Sequence, residues 1–444
     1  MPETRLLLAD IDVPDIEHID AYIGCGGYVA AGEALRKPAS EVVEKVAVAG
    51  LNDRGGRWHP IAERWRQVPA GGILCVEANE SEPGTFRDRK LIERHPHQLL
   101  EGVLIAAFAL QVKEAYVYVR CEMSRGRQLL QEAIDQAYAQ GWLGADIRGS
   151  GFALEVRIHV GAGAYIAGEE TALLNSLAGK RAEPRPQPPF TWQQGLWGRP
   201  ALVENVGTLA YLPHILRQGP ERFRKMGTER YPGTMVFCVS GHVRRPGLYE
   251  LELGAATLHE LVYDYAGGPR EGHQLKAVIP GGGGSPVLKP DELYVRLSPE
   301  DWLVPGGGAF AGSFGTGGVI AMDETTCMVA AALNLLDFYA GESCGQCAPC
   351  RAGAPWLRDV VRRIEEGDGR ENDLELVQSI ARQVSPFLAD KLATICGFGA
   401  AFAWPLQGFV RAFADEFERH IKEGTCPVQQ DHSIKIPETV SVRF

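Results

Sequence analysis

Apolar residues in the first half of the chain occur alternately in short continuous runs and at helical spacing. The helical spacing is clearest in 124–141, where Leu130, Ala133, Ile134 and Ala137 recur three and four positions apart. The short apolar runs predict strands at 71–78, 115–120 and 152–161. Because predicted strands and helices alternate, we expect an α/β layer that extends to about residue 225.

The pattern changes near residue 232. The stretch "GTMVFCVSGHVRRPGLYELELG" alternates apolar and polar residues around a Pro-Gly pair, which predicts a hairpin. A short helix that ends at glycine and a strand that runs into four consecutive glycines follow it, so we expect a small α+β domain. From residue 325 the spacing is helical and predicts about four helices, which indicates a bundle.

These patterns divide the chain into five segments within an α/β fold class. The segments are a helical arm at 1–45, an α/β domain at 46–230, a small domain at 231–318, a helical bundle at 319–425 and an extended tail at 426–444. The tail alternates like an edge strand, and we expect it to add a strand to a partner subunit.

Composition and charge narrow the class of protein. With 444 residues, 45% of them hydrophobic, the chain is long enough for several folded domains. A net charge of −11 disfavours nucleic-acid binding as the main role. The N-terminus carries acids rather than the apolar run of a signal peptide, and we find no apolar stretch long enough to span a bilayer. We therefore expect a cytoplasmic protein that could reach a membrane only through partner subunits.

Three cysteines, Cys344, Cys347 and Cys350, lie two residues apart in "ESCGQCAPCRAG". A disulfide framework is typical of small secreted chains, and the common zinc frameworks use two separated pairs of ligands. The spacing fits an iron–sulfur cluster better, with a fourth cysteine elsewhere in the chain. Cys396 in "TICGFG" is our candidate, and Cys426 in the tail is its rival.

The remaining cysteines occur singly in apolar or strand contexts. We expect core packing for all of them: Cys25, Cys75, Cys121, Cys238 and Cys327. The four consecutive glycines at 281–284 lack the Lys-Ser/Thr that follows a phosphate loop, so we do not predict nucleotide binding there.

A second informative stretch is the glycine-rich turn "GAGAYIAGEET", in which a strand leads into a helix. Acids in a first helical turn suit the helix dipole, which is the structural explanation for Glu169 and Glu170. Glycines such as Gly168 also let a planar ring or a phosphate approach the backbone, and Tyr165 beside them could stack on a ring. The turn alone does not decide between the two explanations.

Several motifs together resemble one family. They are "ESEPGTFRDR", "GAGAYIAGEETALLNSLAGKR", "PPFTWQQGLWGRP", "GTGGV", "ESCGQCAPCRAG" and "TICGFGAAFAWPLQ". In this order, over nearly the whole chain, they are similar to the flavoprotein subunit of respiratory complex I and to the diaphorase subunits of NAD-linked formate dehydrogenases and hydrogenases. The resemblance implies a Rossmann-like FMN-binding domain, a ubiquitin-like β-grasp domain of the soluble-ligand-binding type, and a helical bundle with a [4Fe–4S] cluster.

The resemblance also implies cofactors and site residues. NADH would reduce FMN, and the [4Fe–4S] cluster would carry single electrons onward. The implied cluster ligands are Cys344, Cys347, Cys350 and Cys396. Glu170 is the implied catalytic residue of the flavin and nicotinamide site. The implied cofactor-binding residues are Gly55, Gly56, Arg64, Asn79, Glu80, Ser81, Glu82, Tyr165, Gly168, Glu169, Glu170, Phe190 and Asn205, with Phe190 at the adenine of NADH.

The chain departs from the family pattern around the flavin. In "LNDRGGRWHPIAERW" a glycine of the family is replaced by Asp53, and an Ala-Gly pair by Arg57 and Trp58. Asparagines of the family are replaced by Glu77 and Glu204. A carboxylate about 4 Å from the FMN phosphate would cost on the order of 4 kcal/mol at an effective dielectric constant near 20. FMN binding therefore requires the three acids to be turned away or neutralised, and the two large side chains to point outward.

Three functions remain open at this point. The first is an NADH-oxidising FMN subunit of a multisubunit redox complex. The second is a paralogue that has lost FMN and NADH and serves as an electron conduit or structural subunit, and the altered loop leads us to expect weak FMN binding. The third keeps a flavin or nucleotide with another donor or acceptor. The expected partners are a thioredoxin-like [2Fe–2S] subunit and a larger iron–sulfur subunit, because the chain carries one cluster motif.

Overall fold

Four parallel strands form the sheet of the first domain. They are β1 (Ile73–Ala78), β2 (Glu114–Arg120), β3 (Glu155–Gly161) and β4 (Ala201–Asn205), in the order β3-β2-β1-β4. The structure is a computed structural model, and it describes residues 3–302, 314–385, 393–426 and 428. Strands β2 and β3 are added in sequence on one side of β1, and β4 then pairs with the other side of β1. The order of strands therefore reverses at β1, which is a topological switch point.

Helices cover this sheet and build the predicted arm. They are α1 (Ile19–Gly24), α2 (Val29–Ala34), α3 (Ala39–Ala49), α4 (Ile61–Trp65), α5 (Arg87–Arg94), α6 (Pro96–Leu110), α7 (Ser124–Ala139), α8 (Glu170–Leu177), α9 (Val206–Ala210), α10 (Leu212–Gln218) and α11 (Pro220–Lys225). All residues of α6 are buried, because the arm, α9 and α10 pack around it. The arm is helical as predicted, but α3 continues past residue 45 to a left-handed C-cap at Gly50.

Buried carboxylates fasten the N-terminal residues to the body of the protein. Glu101 on α6 accepts hydrogen bonds from the Tyr22 hydroxyl at 2.5 Å and from the Tyr28 and Ala31 backbone N–H groups. The backbone N–H groups of residues 6–8 all donate to the Glu250 carboxylate, at 2.8–3.1 Å. The arm is therefore held by polar anchors as well as by its apolar face.

The second domain contains a mixed sheet in the order β6-β5-β8-β7. Its strands are β5 (Thr234–Gly241), β6 (Gly247–Glu252), β7 (Leu275–Ile279) and β8 (Gly318–Asp323), with helices α12 (Leu258–Glu260) and α13 (Pro299–Trp302). The hairpin predicted around Pro-Gly is confirmed by the antiparallel pairing of β5 with β6. Because β8 pairs with both β5 and β7, this sheet extends beyond the boundary predicted at residue 318.

The third domain is a bundle of the four predicted helices, α14 (Met328–Glu342), α15 (Ala348–Glu365), α16 (Asp373–Val384) and α17 (Phe398–Glu423). Large aromatic residues fill its core, including Phe402, Phe409 and Phe417 on one face of α17. In the part of the chain that the structure describes, no helix is both long and apolar enough to cross a membrane. Of the predicted extended tail, only 426 and 428 belong to the described residues.

Candidate functional site

A cavity of about 560 Å³ lies where the three domains meet. Its wall includes the residues after β1, Asn205 at the end of β4 and the glycine-rich turn after β3. The carboxyl ends of parallel strands beside a switch point are the usual ligand site of such sheets. Loops from the second domain and the start of α17 complete the wall, and the volume is typical of a cofactor pocket.

Glycine brings the backbone to the cavity at several points. Gly56 has a φ of 105°, a conformation that L side chains rarely adopt, so the turn at this position requires glycine. A Cβ atom added at Gly168 or Gly397 would meet no other atom within 4 Å. The backbone at Gly168 and Gly397 is therefore open to a ligand, whereas a Cβ at Gly55 would lie 3.1 Å from the Asn205 side chain. The cofactor-binding roles of Gly55, Gly56 and Gly168 stay predictions.

The turn after β1 carries four predicted residues, Asn79, Glu80, Ser81 and Glu82, and all four line the cavity. The Asn79 side-chain nitrogen donates to the Ala164 carbonyl at 2.9 Å, but its buried Oδ1 has no partner within the described residues. Glu80 accepts from the first backbone N–H groups of α5, at 2.9 and 3.0 Å. Burial, together with the nearby Asp88 carboxylate, raises the pKa of Glu80 to about 8.

Glu82 connects the three domains at the cavity wall. Its carboxylate accepts hydrogen bonds from the hydroxyls of Tyr165 at 2.6 Å and Tyr339 at 3.1 Å, and from the Gly284 N–H at 2.6 Å. Tyr339 lies on α14, and Gly284 belongs to the second domain. The Tyr165 ring also packs edge to face with aromatic rings of the bundle, those of Phe338, Tyr339 and Phe398.

Several lining residues were not predicted from the sequence. Gly281 and Gly284 of the glycine run lie in the wall, although this run lacks a phosphate-loop signature. Arg87 also lines the cavity, and its guanidinium donates to the backbone carbonyls of Thr316 and Arg54. The "FRDR" motif of the sequence contains Arg87 and the adjacent Asp88, but only the packing of the domains shows that both line the cavity.

Asn205 and Glu77 form a hydrogen-bonded pair at the ends of β4 and β1. The Asn205 side-chain nitrogen donates to Glu77 at 2.9 Å and to Asp88 at 2.6 Å. The Asn79 backbone N–H donates to the other Glu77 oxygen. Burial and the Asp88 carboxylate raise the pKa of Glu77 to about 7, so this carboxyl carries only part of a charge near neutral pH.

The two other acids that replace family residues lie outside the cavity wall. Glu204 is buried outside the cavity wall, and the Trp65 indole N–H donates to its Oε1 at 3.0 Å. Burial raises the pKa of Glu204 to about 8, which leaves it mostly protonated at neutral pH. Asp53 accepts from the Arg57 backbone N–H at 3.0 Å and from the Thr208 hydroxyl at 3.4 Å.

The two bulky replacements are also accommodated. Trp58 is 6% exposed and packs in the core of the second domain against Tyr231 and Phe314. Its indole N–H donates to the Gly315 carbonyl at 3.1 Å. Arg57 lines the cavity and forms an ion pair of 2.9 Å with Glu170. Trp58 therefore points out of the cavity, as FMN binding requires, whereas Arg57 stays in the cavity wall with its charge paired to Glu170.

Glu170 is held between two arginines beside the cavity. Arg64 approaches its carboxylate to 2.6 Å, and the Gln187 side chain donates to the other oxygen at 2.9 Å. Burial alone would raise the pKa of Glu170, but the Arg57 and Arg64 charges lower it to about 2. Glu170 is thus an ionised anchor, and its predicted catalytic role stays a prediction. Its neighbour Glu169 lines the cavity and caps α8, accepting from the Ala172 N–H at 2.9 Å.

An aromatic pair lies next to the charged cluster that Arg64 forms with Glu170. The Phe190 and Trp192 rings stack at 4.6 Å with an angle of 6° between their planes. The Arg64 guanidinium lies over the Trp192 ring, 5.8 Å from its centre. Phe190 and Arg64 do not belong to the cavity wall. Arg64 contacts Glu170, which lies beside the cavity. The proposed adenine contact of Phe190 stays a prediction.

The structure brings the three cysteines of the triplet together with Cys396. Cys344 follows α14, Cys347 precedes α15, Cys350 lies in its first turn, and Cys396 lies two residues before α17. Burial and the thiols of Cys347, Cys396 and Cys344 raise the pKa of the Cys350 thiol, which reflects how near these four groups lie. Four thiols at one place fit a [4Fe–4S] cluster.

The rival and the single cysteines behave differently. Cys426 lies with Cys327, Glu365 and His420, away from the triplet. Core packing is confirmed for the buried Cys75 and Cys238, but it is wrong for Cys121, which is exposed, and Cys25 is half-buried. Cys327 is buried, but its thiol contacts polar groups rather than apolar side chains alone.

The residues present fit both cofactors that the motifs imply. The cavity offers open glycine backbone and an Asn79 oxygen without a partner among the described residues, and a bound flavin could use both. Cys396, Gly397 and Phe398 also line it, so the cavity and the thiol site share a wall.

Comparisons with known proteins agree with this geometry. Residues 46–214 match the Nuo51 FMN-binding domain, residues 235–309 the SLBB domain, and residues 330–420 the iron–sulfur binding region of NADH-ubiquinone oxidoreductase-F. The F 2 subunit of NADH-quinone oxidoreductase from Rhizobium meliloti (strain 1021) is 44% identical, over 95% of this chain and 99% of the relative. The F-type subunit of the same enzyme from Aquifex aeolicus (strain VF5) is 40% identical, over 94% and 95% of the two chains.

A solved structure shares the fold. The air-oxidised NAD⁺-reducing [NiFe]-hydrogenase superposes with a TM-score of 0.79 at 31% identity, over 95% of this chain and 67% of the hydrogenase chain. The alignments with the two sequence relatives cover nearly the whole length of both chains, and the three matched domains follow one another along this chain. The chain therefore belongs to the family of the F-type subunits of NADH-quinone oxidoreductase.

Proposed function

We propose that this chain oxidises NADH with FMN and a [4Fe–4S] cluster, as one component of a multisubunit redox complex. FMN takes up two electrons and releases them singly, and an iron–sulfur cluster carries one electron at a time. The observation that carries this proposal is that Cys396, a predicted ligand of the cluster, lines the cavity itself. A flavin in this cavity would lie against a residue that binds the cluster.

The roles of the residues follow from their contacts. The glycine loops around Gly56 and Gly168 would receive the flavin, and the Asn79 oxygen would accept a hydrogen bond from it. Glu82 would fix the distance between the flavin side and the cluster side, because it bonds to residues of all three domains. Arg57, Arg64 and the Phe190–Trp192 pair would form the nucleotide end.

The paralogue without FMN is not favoured. It was suggested by five changes near the flavin. Each of the five side chains has partners within the protein, and only Arg57 and Glu77 of the five line the cavity. Trp58 packs into the second domain, Glu204 lies outside the cavity wall and is mostly protonated, and Asp53 is hydrogen bonded to the backbone of its own loop. Glu77 is partly neutralised, and Arg57 pairs with Glu170.

The partners are proposed at two levels of detail. Relatives are subunits of NADH-quinone oxidoreductases, so this chain would work with other subunits. We propose that a thioredoxin-like [2Fe–2S] subunit and a larger iron–sulfur subunit accept its electrons, at the cytoplasmic side of a membrane-bound complex. Pull-down from native extract tests this assembly, and a chain that returns without any iron–sulfur partner would contradict it.

The cofactor proposal is tested on anaerobically purified full-length chain. Flavin released by acid and protein-bound iron should approach one FMN and four iron atoms per chain, and NADH should bleach the visible absorbance. A preparation that is loaded with iron but free of flavin, and that does not respond to NADH, would support the paralogue instead.

The cluster ligands are tested by substitution. Cys396→Ser should remove most of the iron and destabilise the bundle, because the cluster ties the segment before α17 to α14 and α15. Cys426→Ser is the matched control and should keep its iron. Iron loss in the Cys426 variant alone would overturn the assignment.

A further inference from the structure

Four metal-ligand side chains converge at the end of the bundle that is remote from the cysteine triplet. They are Cys327, Glu365, His420 and Cys426, hereafter the second thiol site, and their ligand atoms all lie within 4.8 Å of one another. Cys327 is the N-cap of α14, Glu365 is the last residue of α15, His420 is near the end of α17, and Cys426 follows α17. The site therefore joins three helix ends.

The distances match a tetrahedral zinc site. The Cys327 sulfur lies 3.4 Å from His420 Nε2 and 3.4 Å from Glu365 Oε2. His420 Nε2 lies 3.3 Å from the same Glu365 oxygen. Zinc bonds of about 2.0–2.3 Å at tetrahedral angles place neighbouring ligand atoms about 3.3–3.8 Å apart. The three distances among Cys327, His420 and Glu365 are therefore close to those of a tetrahedral zinc site, and the Cys426 sulfur lies within 4.8 Å of the other three ligand atoms.

The surroundings orient the ligands. His420 is fully buried, and its Nδ1 lies 2.8 Å from the Glu416 carbonyl, so Nδ1 donates there and Nε2 faces the site. Zinc-binding histidines are usually held by such a hydrogen bond to a carbonyl. The Cys327 sulfur accepts from the Ala330 N–H at 3.3 Å, and a helix N-terminus favours a thiolate. The Glu416 carboxylate accepts from the Met328 N–H and pairs with Lys276, both at 2.8 Å.

A metal-free arrangement is the chemical alternative. In that state burial and the Glu365 carboxylate raise the pKa of the Cys327 thiol. Burial would lower the pKa of His420, but its hydrogen bonds to Glu365 and Glu416 raise it to about 9. This arrangement is an imidazolium–carboxylate pair with two thiols beside it. It accounts for the pair but not for two buried sulfurs that lie within 4.8 Å of the same imidazole.

We propose that the second thiol site binds one structural zinc ion, separate from the iron–sulfur cluster. Four protein ligands close the coordination shell, which is the pattern of structural rather than catalytic zinc. At about 1.5 Å per residue, α15 separates Glu365 from Cys350 by about 22 Å. The zinc would fasten the ends of α15 and α17 to the start of α14, while the cluster fastens the opposite end of the bundle.

The test is metal analysis and X-ray absorption of the full-length chain loaded with its iron. We expect about one zinc per chain and a zinc-edge spectrum with two sulfur ligands near 2.3 Å and two nitrogen or oxygen ligands near 2.0 Å. His420→Gln and Cys327→Ser should each lower the zinc content at least fivefold and leave the iron content unchanged. Cys121→Ser, at an exposed cysteine, is the control and should retain both metals.

Three results would overturn the proposal. One is a chain that holds no zinc even after growth with added zinc chloride. Another is zinc that remains in the His420→Gln variant. The third is a spectrum with four sulfur ligands, which would show that zinc occupies the iron site instead. Since the spectrum is recorded on the unsubstituted chain, it decides the question even where the variants do not fold.

Discussion

At the scale of single residues, burial decides how much charge lies near the cavity. Glu77 and Glu204 replace asparagines of the family, and as full charges they would repel a phosphate. Burial raises the pKa of both carboxyls, to about 7 and about 8 respectively, so they are partly or mostly neutral at physiological pH. The replacement therefore costs cofactor binding far less than a count of charges suggests.

The raised pKa of Glu204 predicts a pH-dependent stability. In the unfolded chain this carboxyl loses its proton near pH 4.5, whereas in the folded chain it keeps the proton to about pH 8. Folding stability should therefore fall as the pH rises through this window, by on the order of 2 kcal/mol between pH 6 and 8.5. Glu204→Gln should remove much of this loss, measured as the difference in thermal midpoint between the two pH values.

The exposed Glu63 on α4 offers a control. Glu63→Gln should leave the pH dependence of the midpoint as it is in the unsubstituted chain. Equal slopes for the Glu204 variant and the unsubstituted chain would contradict the buried neutral carboxyl.

Trp58 combines a favourable contact with an unfavourable backbone conformation. Its φ is 58°, in the left-handed region, and its side chain is buried in the second domain. Trp58→Ala should cost about 3–5 kcal/mol through lost packing. Trp58→Gly, which restores the residue of the family, should cost about 1 kcal/mol less because glycine relieves the strain. Chemical denaturation of both variants checks the order, and a glycine variant less stable than the alanine variant would contradict it.

At the scale of elements, the wholly buried α6 sets the close packing of the first domain. An added Cβ at Gly102 would lie 2.1 Å from the Leu209 carbonyl oxygen, so α6 and α9 approach closely only because this residue is glycine. The clash involves backbone atoms of a buried helix, which cannot move aside as a flexible side chain can.

We expect Gly102→Ala to destabilise the first domain by more than about 2 kcal/mol, measured by thermal unfolding followed by far-ultraviolet circular dichroism. Gly32→Ala on α2 is the matched control, because its Cβ would meet only the Trp142 ring at 3.5 Å. The control should be neutral or stabilising by about 0.5–1 kcal/mol, as usual for glycine in a helix. Similar stabilities for the two variants would contradict the close contact between α6 and α9 as the cause.

At the scale of the whole molecule, polar contacts at the cavity hold the three domains in one arrangement. Glu82 is their shared partner, because its carboxylate bonds to Tyr165, Tyr339 and Gly284. Burial raises the pKa of Glu82, while the hydrogen bonds from these three groups oppose that rise. Hydrogen bonds to a charged, buried group contribute about 1.5–3 kcal/mol.

Glu82→Ala should therefore loosen the contact between domains and speed the loss of flavin during gel filtration, by at least about tenfold. Tyr339→Phe removes one of the three hydrogen bonds and should have a smaller effect of the same kind. Glu63→Ala, which removes an exposed carboxylate outside the cavity wall, is the control and should leave flavin retention unchanged. Flavin retention that is equal in the Glu82 variant and the unsubstituted chain would contradict the role of this carboxylate.

The sequence alone determined the elements and the cluster motif, because both depend on local information. Periodicity placed the strands and the four bundle helices, and the spacing of Cys344, Cys347 and Cys350 is a property of one short segment. The motifs also indicated the family and the turn after β1. Local sequence does not encode what a side chain meets across the fold.

Only the tertiary structure decided the state of the cavity and the second thiol site. From the sequence, Trp58 is only a bulky residue in a glycine-rich loop and Glu204 is only a charged residue. In the structure, the second domain provides a pocket for Trp58, and burial keeps Glu204 mostly neutral. Cys327 and Cys426 are 99 positions apart and carry no spacing signal, yet three helix ends bring them to one point. The physical reason is that desolvation and convergence are set by the packing of distant segments, which no local pattern encodes.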